Sequence, residues 1–175
     1  MKKISTPLTN EIIRGLVAGD QVSLNGTIYT ARDLAHQELI RALRHKKKLP
    51  FALNNQIIYY CGPTPAIAGR PIGSCGPTTS SRMDDFTPQL LKAGLRAMIG
   101  KGKRSPEVRR AIKKHGAVYF LAVGGAGAIL ATKVKQAKVI AYARFGPEAI
   151  HQLEVEDFPL IVGIDCCGRD LFTKA

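Results

Sequence analysis

The pattern of apolar and polar positions divides the chain into short strands and helices separated by turns rich in glycine and proline. Leu8 to Ile13, just after Pro7, reads as a strand. Gln21 to Tyr29 alternates through Val22, Leu24, Gly26 and Ile28 and reads as a strand pair with a tight turn at Asn25-Gly26. These two segments predict a small β layer at the start of the domain. Thr30 caps a predicted helix over 31–47, with Leu34, Leu39, Ile40 and Leu43 as its apolar stripe and Arg41, Arg44 and Lys47 facing water. Arg32 and Asp33 fall in its first turn. Asp suits the positive end of the helix dipole and Arg opposes it, so Arg32 has no local structural reason to be there.

Gln56 to Cys61 predicts a strand, and the stretch from Gly62 to Thr79, dense in Gly, Pro, Ser and Thr, predicts an ordered loop. A helical turn near Ser80 and a restart at Thr87-Pro88 running to Lys92 follow it. Ala97 to Ile99 is strand-like and ends in Gly100-Lys101-Gly102-Lys103. Ser105-Pro106-Glu107 then opens a helix ending at Lys114 or His115, with Pro at its first position. Ala117 to Ala122 predicts a strand, 129–134 a helix, Lys138 to Ala143 a strand, Pro147 to Ile150 a helical turn, and Phe158 to Asp165 a buried strand. Strands alternating with helices in the later two-thirds imply a partly parallel βαβ core with the early β layer beside it: a single α/β domain over residues 1–175.

Composition narrows the class. With 175 residues, 45% hydrophobic and 22% charged, the chain is sized for one core and is too apolar to be disordered. The apolar stretches near 117–131 and 159–164 fall short of the about 20 residues a membrane span needs. No secretory signal follows Met1-Lys2-Lys3, so a cytoplasmic protein with reduced thiols is expected. Net charge is +13, and the excess lies in the middle: residues 49–147 carry fifteen basic and three acidic groups, residues 148–175 two and six. A basic middle suits RNA or an acidic partner. However, Trp is absent and no aromatic pair interleaves the basic run, so the stacking platform of a single-strand binder is missing. Cys61, Cys75, Cys166 and Cys167 show no C-x-x-C spacing, which predicts no metal site held by this chain; Cys61, Cys166 and Cys167 read as small core residues.

Three segments carry candidate chemistry. Gly124-Gly125-Ala126-Gly127-Ala128 departs from the dinucleotide fingerprint G-x-G-x-x-G and reads as close packing of helix on sheet. Gly100-Lys101-Gly102 places one ammonium at a strand end, between glycines that let another group approach the backbone. Gly73 to Asp85 is the strongest: glycines and a proline, the hydroxyl run Thr78 to Ser81, then a helix start with Arg82. Such a segment can form an anion pocket that grips a dicarboxylate through guanidinium and backbone N–H groups.

Gly76-Pro77-Thr78-Thr79-Ser80-Ser81-Arg82-Met83-Asp84 resembles the signature of the iron–sulfur-dependent hydro-lyases, the class I fumarases and L-tartrate dehydratases, in their β subunit or C-terminal domain. Thr30-Ala31-Arg32-Asp33-Leu34-Ala35-His36, Tyr59 to Pro65, Ile99 to Gly102, Gly146 to Ile150 and Glu154 to Pro159 occur in the family's order as well. The resemblance thus covers roughly residues 5 to 172.

The resemblance implies a swivelling β/β/α domain acting as the β subunit of a two-subunit class I fumarate hydratase that interconverts fumarate and (S)-malate. L-tartrate dehydratase is the close alternative, and a basic RNA-binding module the alternative of another class. A separate α subunit is implied to hold a [4Fe-4S] cluster by three cysteines, one iron being open to the leaving hydroxyl, in a heterotetramer with a β–β contact. No nucleic acid and no membrane enter that picture. By similarity Arg32, Arg82 and Lys101 clamp the substrate carboxylates, Thr78 faces the carbon that loses or gains a proton, and Ser80 or Ser81 touches a carboxylate. Cys75, one residue before the signature, is expected to pack. The remaining cations, Lys103 to Lys114 above all, are expected on solvent or on the face toward the partner.

Overall fold

The computed structural model describes residues 1–173. In chain order its elements are β1 (Lys2–Ser5), α1 (Asn10–Arg14), β2 (Gln21–Thr30), α2 (Asp33–Arg44), β3 (Ile57–Tyr59), α3 (Thr87–Lys92), β4 (Ala97–Gly100), α4 (Pro106–His115), β5 (Val118–Leu121), α5 (Gly127–Thr132), β6 (Val134–Ala141) and β7 (Ile150–Ile164). Short 3-10 turns occupy Ser80–Met83 and Ala143–Glu148.

β2, β3, β4 and β5 pair side by side in parallel. The long strand β7 runs antiparallel to β5 on one side and to β2 on the other, which closes a five-stranded mixed barrel. β1 continues the sheet beyond β2 in parallel, and β6 lies antiparallel outside β7. The two long strands change partners along their length, and bulges between Leu24 and Gly26 and between Tyr119 and Phe120 adjust the register there.

Period-two alternation explains the core. Val22, Leu24, Ile28, Ile57, Tyr59, Ile99, Val118, Phe120, Leu153, Phe158 and Val162 fill the barrel. Ile58, Tyr60, Met98 and Tyr119, the neighbours that point outward, meet Leu39 and Ile40 of α2, Leu90 and Leu91 of α3, and Val108 and Ile112 of α4. Strands buried on both faces read as near-continuous apolar runs, and these do.

Several expectations are corrected. Residues 8–13 form no strand: the Thr9 hydroxyl accepts the Ile12 amide at 3.2 Å and starts helix α1, while the first strand lies earlier, in β1. Asn25-Gly26 is not a hairpin turn but a bulge in one continuous strand. Gly26 has φ +101°, and a Cβ there would meet Thr6 Oγ1, so glycine is required, as in a turn, yet both strand halves find other partners. β2 therefore belongs to the barrel and is not a layer beside it. Thr30 ends β2 and does not cap α2; Arg32 holds the cap position, and the helix ends at Arg44. Its buried face is Ala35, His36, Leu39 and Ile40, with Leu34 40% exposed. β6 starts four residues before the predicted 138, and β7 begins at Ile150, eight residues before Phe158.

Candidate active site

The carboxyl ends of the parallel strands carry the candidate residues. Arg32 lies two residues past β2, Tyr60 to Gly62 follow β3, and Lys101 follows β4. The signature segment is laid across these ends. The Thr78 amide donates to the Tyr60 carbonyl at 2.6 Å, Thr79 bridges to Lys101 in parallel, and the Ser80 amide donates to the Lys101 carbonyl at 3.0 Å. Adjacent strands thereby bring Arg32, Thr78 and Lys101 to one rim. Thr78 is half-buried, while Ser81, Arg82 and Lys101 are exposed.

Arg82 joins the group through Asp33. Its Nε donates to Oδ1 at 3.1 Å and its Nη2 to Oδ2 at 2.8 Å, a bidentate fork. Arg32 Nη2 lies 3.8 Å from the same Asp33 Oδ2 and 3.7 Å from Glu148 Oε1. The glycine at 62 is needed for this approach, since a Cβ there would come within 3.0 Å of Arg32 Nη1 and of the Pro147 carbonyl oxygen. Arg32 Nε is buried without a partner. The residue that lacks a local reason thus has a tertiary one: Arg32 stands between two carboxylates at the head of α2. Glu148 completes the corner by accepting the Leu34 amide at 2.9 Å.

His36 sits beneath. Its Nδ1 lies 2.8 Å from the Arg32 carbonyl oxygen, so this nitrogen donates, and its Nε2 is buried without a partner. Burial, helped by the Arg104 charge and opposed by the Arg32 carbonyl and the Asp33 carboxylate, lowers its pKa to about 4. His36 is therefore neutral near pH 7.

The turn that carries Arg82 is braced from below by a buried polar network. Arg104 Nε donates to Asp84 Oδ1 at 2.7 Å, Nη2 to Thr87 Oγ1 at 2.7 Å and Nη1 to the Tyr60 hydroxyl at 3.3 Å. Asp84 Oδ2 also accepts the Ser105 amide at 2.8 Å. Burial works against the Arg104 charge, but Tyr60 and Asp84 outweigh it and hold the guanidinium above its ordinary pKa. Tyr119 closes the network, its hydroxyl directed to Ser80 Oγ at 2.8 Å and to the Gly102 carbonyl at 2.9 Å. Ser80 is fully buried in that contact, against Gly100, where a Cβ would lie 1.9 Å from its Oγ. Arg104 thus departs from the expectation that the run from Lys103 to Lys114 faces solvent or a partner: its side chain is fully buried. Nothing local distinguishes it from the exposed Lys103, Arg109 and Arg110 nearby. Asp33, Glu148, His36, Arg104 and Tyr119 are the site residues that sequence reasoning left without a role.

Cys75 and Cys61 are both sealed in the barrel core, and the Cys75 side chain together with burial pushes the Cys61 thiol well up. Cys166 is partly buried and packs against the same core, whereas Cys167 is exposed, so of the three cysteines expected in the core only Cys167 lies outside it. The two pairs are separate, and among the described residues no three His, Cys, Asp or Glu side chains gather as a metal site. The residues present do not fit an iron–sulfur cluster. Of the glycine run only Gly127 packs tightly, and against the signature loop and not the sheet: a Cβ there would lie 2.5 Å from Ser74 Oγ and 2.9 Å from the Gly76 nitrogen, whereas one on Gly125 would meet open space. Among the described residues no helix is long and apolar enough to cross a membrane.

The family model "Fumarase C-terminus" matches residues 2–175. The anaerobic class I fumarate hydratase of Escherichia coli K12 is 42% identical over 156 residues, which are 88% of this chain and 28% of that protein. A putative class I fumarate hydratase of Geobacillus stearothermophilus is 38% identical, over 96% of this chain and 33% of the relative. The putative L(+)-tartrate dehydratase subunit beta of Methanocaldococcus jannaschii is 41% identical over 173 residues, 95% of this chain and 89% of the relative. The chain spans about a third or less of the fumarate hydratases it matches, and most of the tartrate dehydratase subunit. It is related to hydro-lyases of both kinds, and it belongs to the family formed by the C-terminal domain of class I fumarate hydratases and the β subunit of tartrate dehydratases.

Proposed function

We propose that this chain is the β subunit of a two-subunit class I fumarate hydratase and supplies the dicarboxylate clamp for the reversible hydration of fumarate to (S)-malate. The observation that carries the reading is the meeting of Arg32, Thr78 and Lys101 at adjacent strand ends, with Arg82 tied to the same corner by Asp33. Two guanidinium groups and an ammonium suit two carboxylates. They also suit the extra charge that builds on one carboxylate when a proton leaves the neighbouring carbon. Thr78 is assigned to that carbon, and because a threonine hydroxyl is a weak base unaided, a neighbouring group must lower the cost of its ionisation. Ser81, on the exposed side of the turn, is assigned to touching a carboxylate; Ser80, committed to Tyr119, contributes by holding the turn.

The family's [4Fe-4S] cluster is assigned to an α subunit, with which the chain forms a heterotetramer having a β–β contact and onto which a swivelling β/β/α domain closes. A second reading, tartrate dehydratase, is favoured by the relative that matches along most of its own length and is named as a β subunit. Both readings use the same clamp. The test is co-expression with an α partner, anaerobic reconstitution, and parallel assay of fumarate, (S)-malate and tartrate. Turnover of fumarate above tartrate supports the first reading, the reverse supports the second, and absence of any hydro-lyase activity defeats both. Thr78→Ala is expected to abolish turnover where Ser81→Ala only weakens binding; near wild-type rate in Thr78→Ala removes its proton role. Salt-sensitive RNA binding that survives Arg32→Ala and Arg82→Ala would favour the RNA-binding module instead.

A further inference from the structure

The turn after β7 holds a second cluster of reactive groups, apart from the rim. Cys166 and Cys167 border a cavity of about 580 Å³ together with Asn10, Ile13, Arg14, Arg96 and Gly116. Cys167 is exposed and Cys166 partly buried, so one thiol is accessible and the other stands behind it. Burial first, and then the Cys167 side chain, push the Cys166 thiol up.

The surroundings are cationic. Among the described residues Arg14 makes no ion pair, and Arg96 has only neutral partners: its Nη1 donates to the His115 carbonyl at 2.5 Å and its Nε to Asn55 Oδ1 at 3.4 Å. Arg169, in the same turn, is paired at 2.6 Å with Asp165. Asp165 also accepts the Cys167 and Arg169 amides at 3.0 and 3.1 Å and, across the domain edge, the Ala18 amide at 3.1 Å. The dithiol is therefore fixed to a carboxylate that ties the end of β7 to the 17–20 turn.

We propose that Cys166 and Cys167 form a thiol–disulfide exchange site for small anionic disulfides, held in the cavity by Arg14 and Arg96. Cationic walls disfavour a metal cation and favour a ligand with carboxylates, which decides between the two usual partners of a vicinal dithiol. In the first step the Cys167 thiolate attacks one sulfur of R–S–S–R; that bond breaks, a Cys167–S–S–R bond forms, and one RS⁻ leaves with the electron pair and takes up a proton. In the second the Cys166 thiolate attacks Cys167 Sγ, the second RS⁻ leaves, and a Cys166–Cys167 disulfide remains. Two protein thiols are oxidised by two electrons, and one disulfide is reduced to two thiols. Neighbouring Cα atoms stand about 3.8 Å apart, below the roughly 4.4–6.8 Å of ordinary disulfides, so the product is strained: it accumulates only while the small disulfide is in large excess over its thiol, the condition used in the test, and is reduced again when the thiol prevails.

The test uses the reduced full chain, with oxidised glutathione as the anionic probe and cystamine as a cationic disulfide, followed by intact mass and peptide mapping. The wild type is expected to pass through one glutathionyl adduct and finish having lost two hydrogens, both mapped to the peptide with residues 166 and 167. Cys166→Ser should stop at a stable adduct, and Cys167→Ser should form none there. Arg14→Gln should slow the reaction with oxidised glutathione roughly fivefold at low salt, while that with cystamine stays the same or quickens. Equal rates with the two probes, no effect of Arg14→Gln, or a wild-type adduct as long-lived as that of Cys166→Ser would overturn the proposal.

Discussion

Replacing Arg104 with Met removes a cation whose side chain is fully buried and keeps most of its apolar stem. Asp84 and Thr87 each lose a hydrogen bond of 2.7 Å, Tyr60 loses one of 3.3 Å, and the rings of Tyr60 and Tyr119 lose a cation 5.3 and 5.0 Å from their centroids. Removing one partner of a buried pair costs about 3–5 kcal/mol, because the other charge stays behind unpaired. The lower end applies, since Asp84 is 13% exposed and keeps the Ser105 amide at 2.8 Å. A loss of about 3 kcal/mol corresponds to a fall in Tm of roughly 6–12 °C for a chain of this size. Urea unfolding at pH 7 with an unchanged m-value measures it. The cause has its own signature: adding Asp84→Asn removes the orphaned charge, so the double variant should regain about 1–2 kcal/mol over Arg104→Met alone. A loss under about 1 kcal/mol, or a double variant no more stable than the single one, would refute the reasoning that this pair braces the signature turn.

Gly100→Ala should destabilise by about 1–3 kcal/mol, because its Cβ would lie 1.9 Å from Ser80 Oγ and 2.9 Å from Tyr60 Cδ2; adding Ser80→Ala should recover part of that in the same unfolding experiment. His36 is neutral in the fold, its pKa down to about 4 from an ordinary 6.5, so the unfolded chain binds the extra proton as pH falls between those values. That group's contribution is full above pH 6.5 and lost by pH 4, at most roughly 3 kcal/mol, and His36→Asn should flatten the stability profile over that window. Asp33→Asn should cost under about 1 kcal/mol of stability, since Arg82 is half exposed; on the proposed function it should also lower kcat/KM of the chain assembled with an α partner about tenfold or more by releasing Arg82. An unchanged kcat/KM would show that the fork has no part in turnover.

The legible parts of the chain were those with local signals. α4 is legible to within a residue because Ser105-Pro106-Glu107 marks its start; its end at His115 is set by Gly116, at φ +60°. The 3-10 turn at Ser80 and the restart at Thr87-Pro88 were marked by their own residue types. Barrel closure was not legible, because β2 meets β7 across more than a hundred residues and neither strand announces its partner. The first half of β7 is hidden in the sequence for a related reason. Glu154, Glu156 and Asp157 interrupt its apolar run, although Leu153, Val155 and Phe158 are buried between them. At the site the useful signal was negative. Arg32 was out of place against the helix dipole, and the explanation lies in Asp33 and Glu148, the latter from another segment. Arg104 gave no such warning among the cations that surround it.

The proposed clamp also bears on why a single domain would need a partner. Two guanidinium groups brought to one corner repel each other, and a carboxylate placed between them offsets that repulsion before any substrate arrives. Asp33 does this here: it forks to Arg82 at 2.8 and 3.1 Å and lies 3.8 Å from Arg32. The arrangement preorganises the cations at a partly solvent-exposed rim, where water weakens every charge–charge term. Arg82 is 50% exposed and Arg32 24% exposed in their side chains. Catalytic use of the same charges requires a drier surrounding, in which a bound dicarboxylate outcompetes water for the guanidinium donors. A second protein surface laid over the rim would supply that surrounding without changing a residue of this chain. The proposed clamp can therefore be built on one domain and still, on that reading, become effective only when the rim is covered.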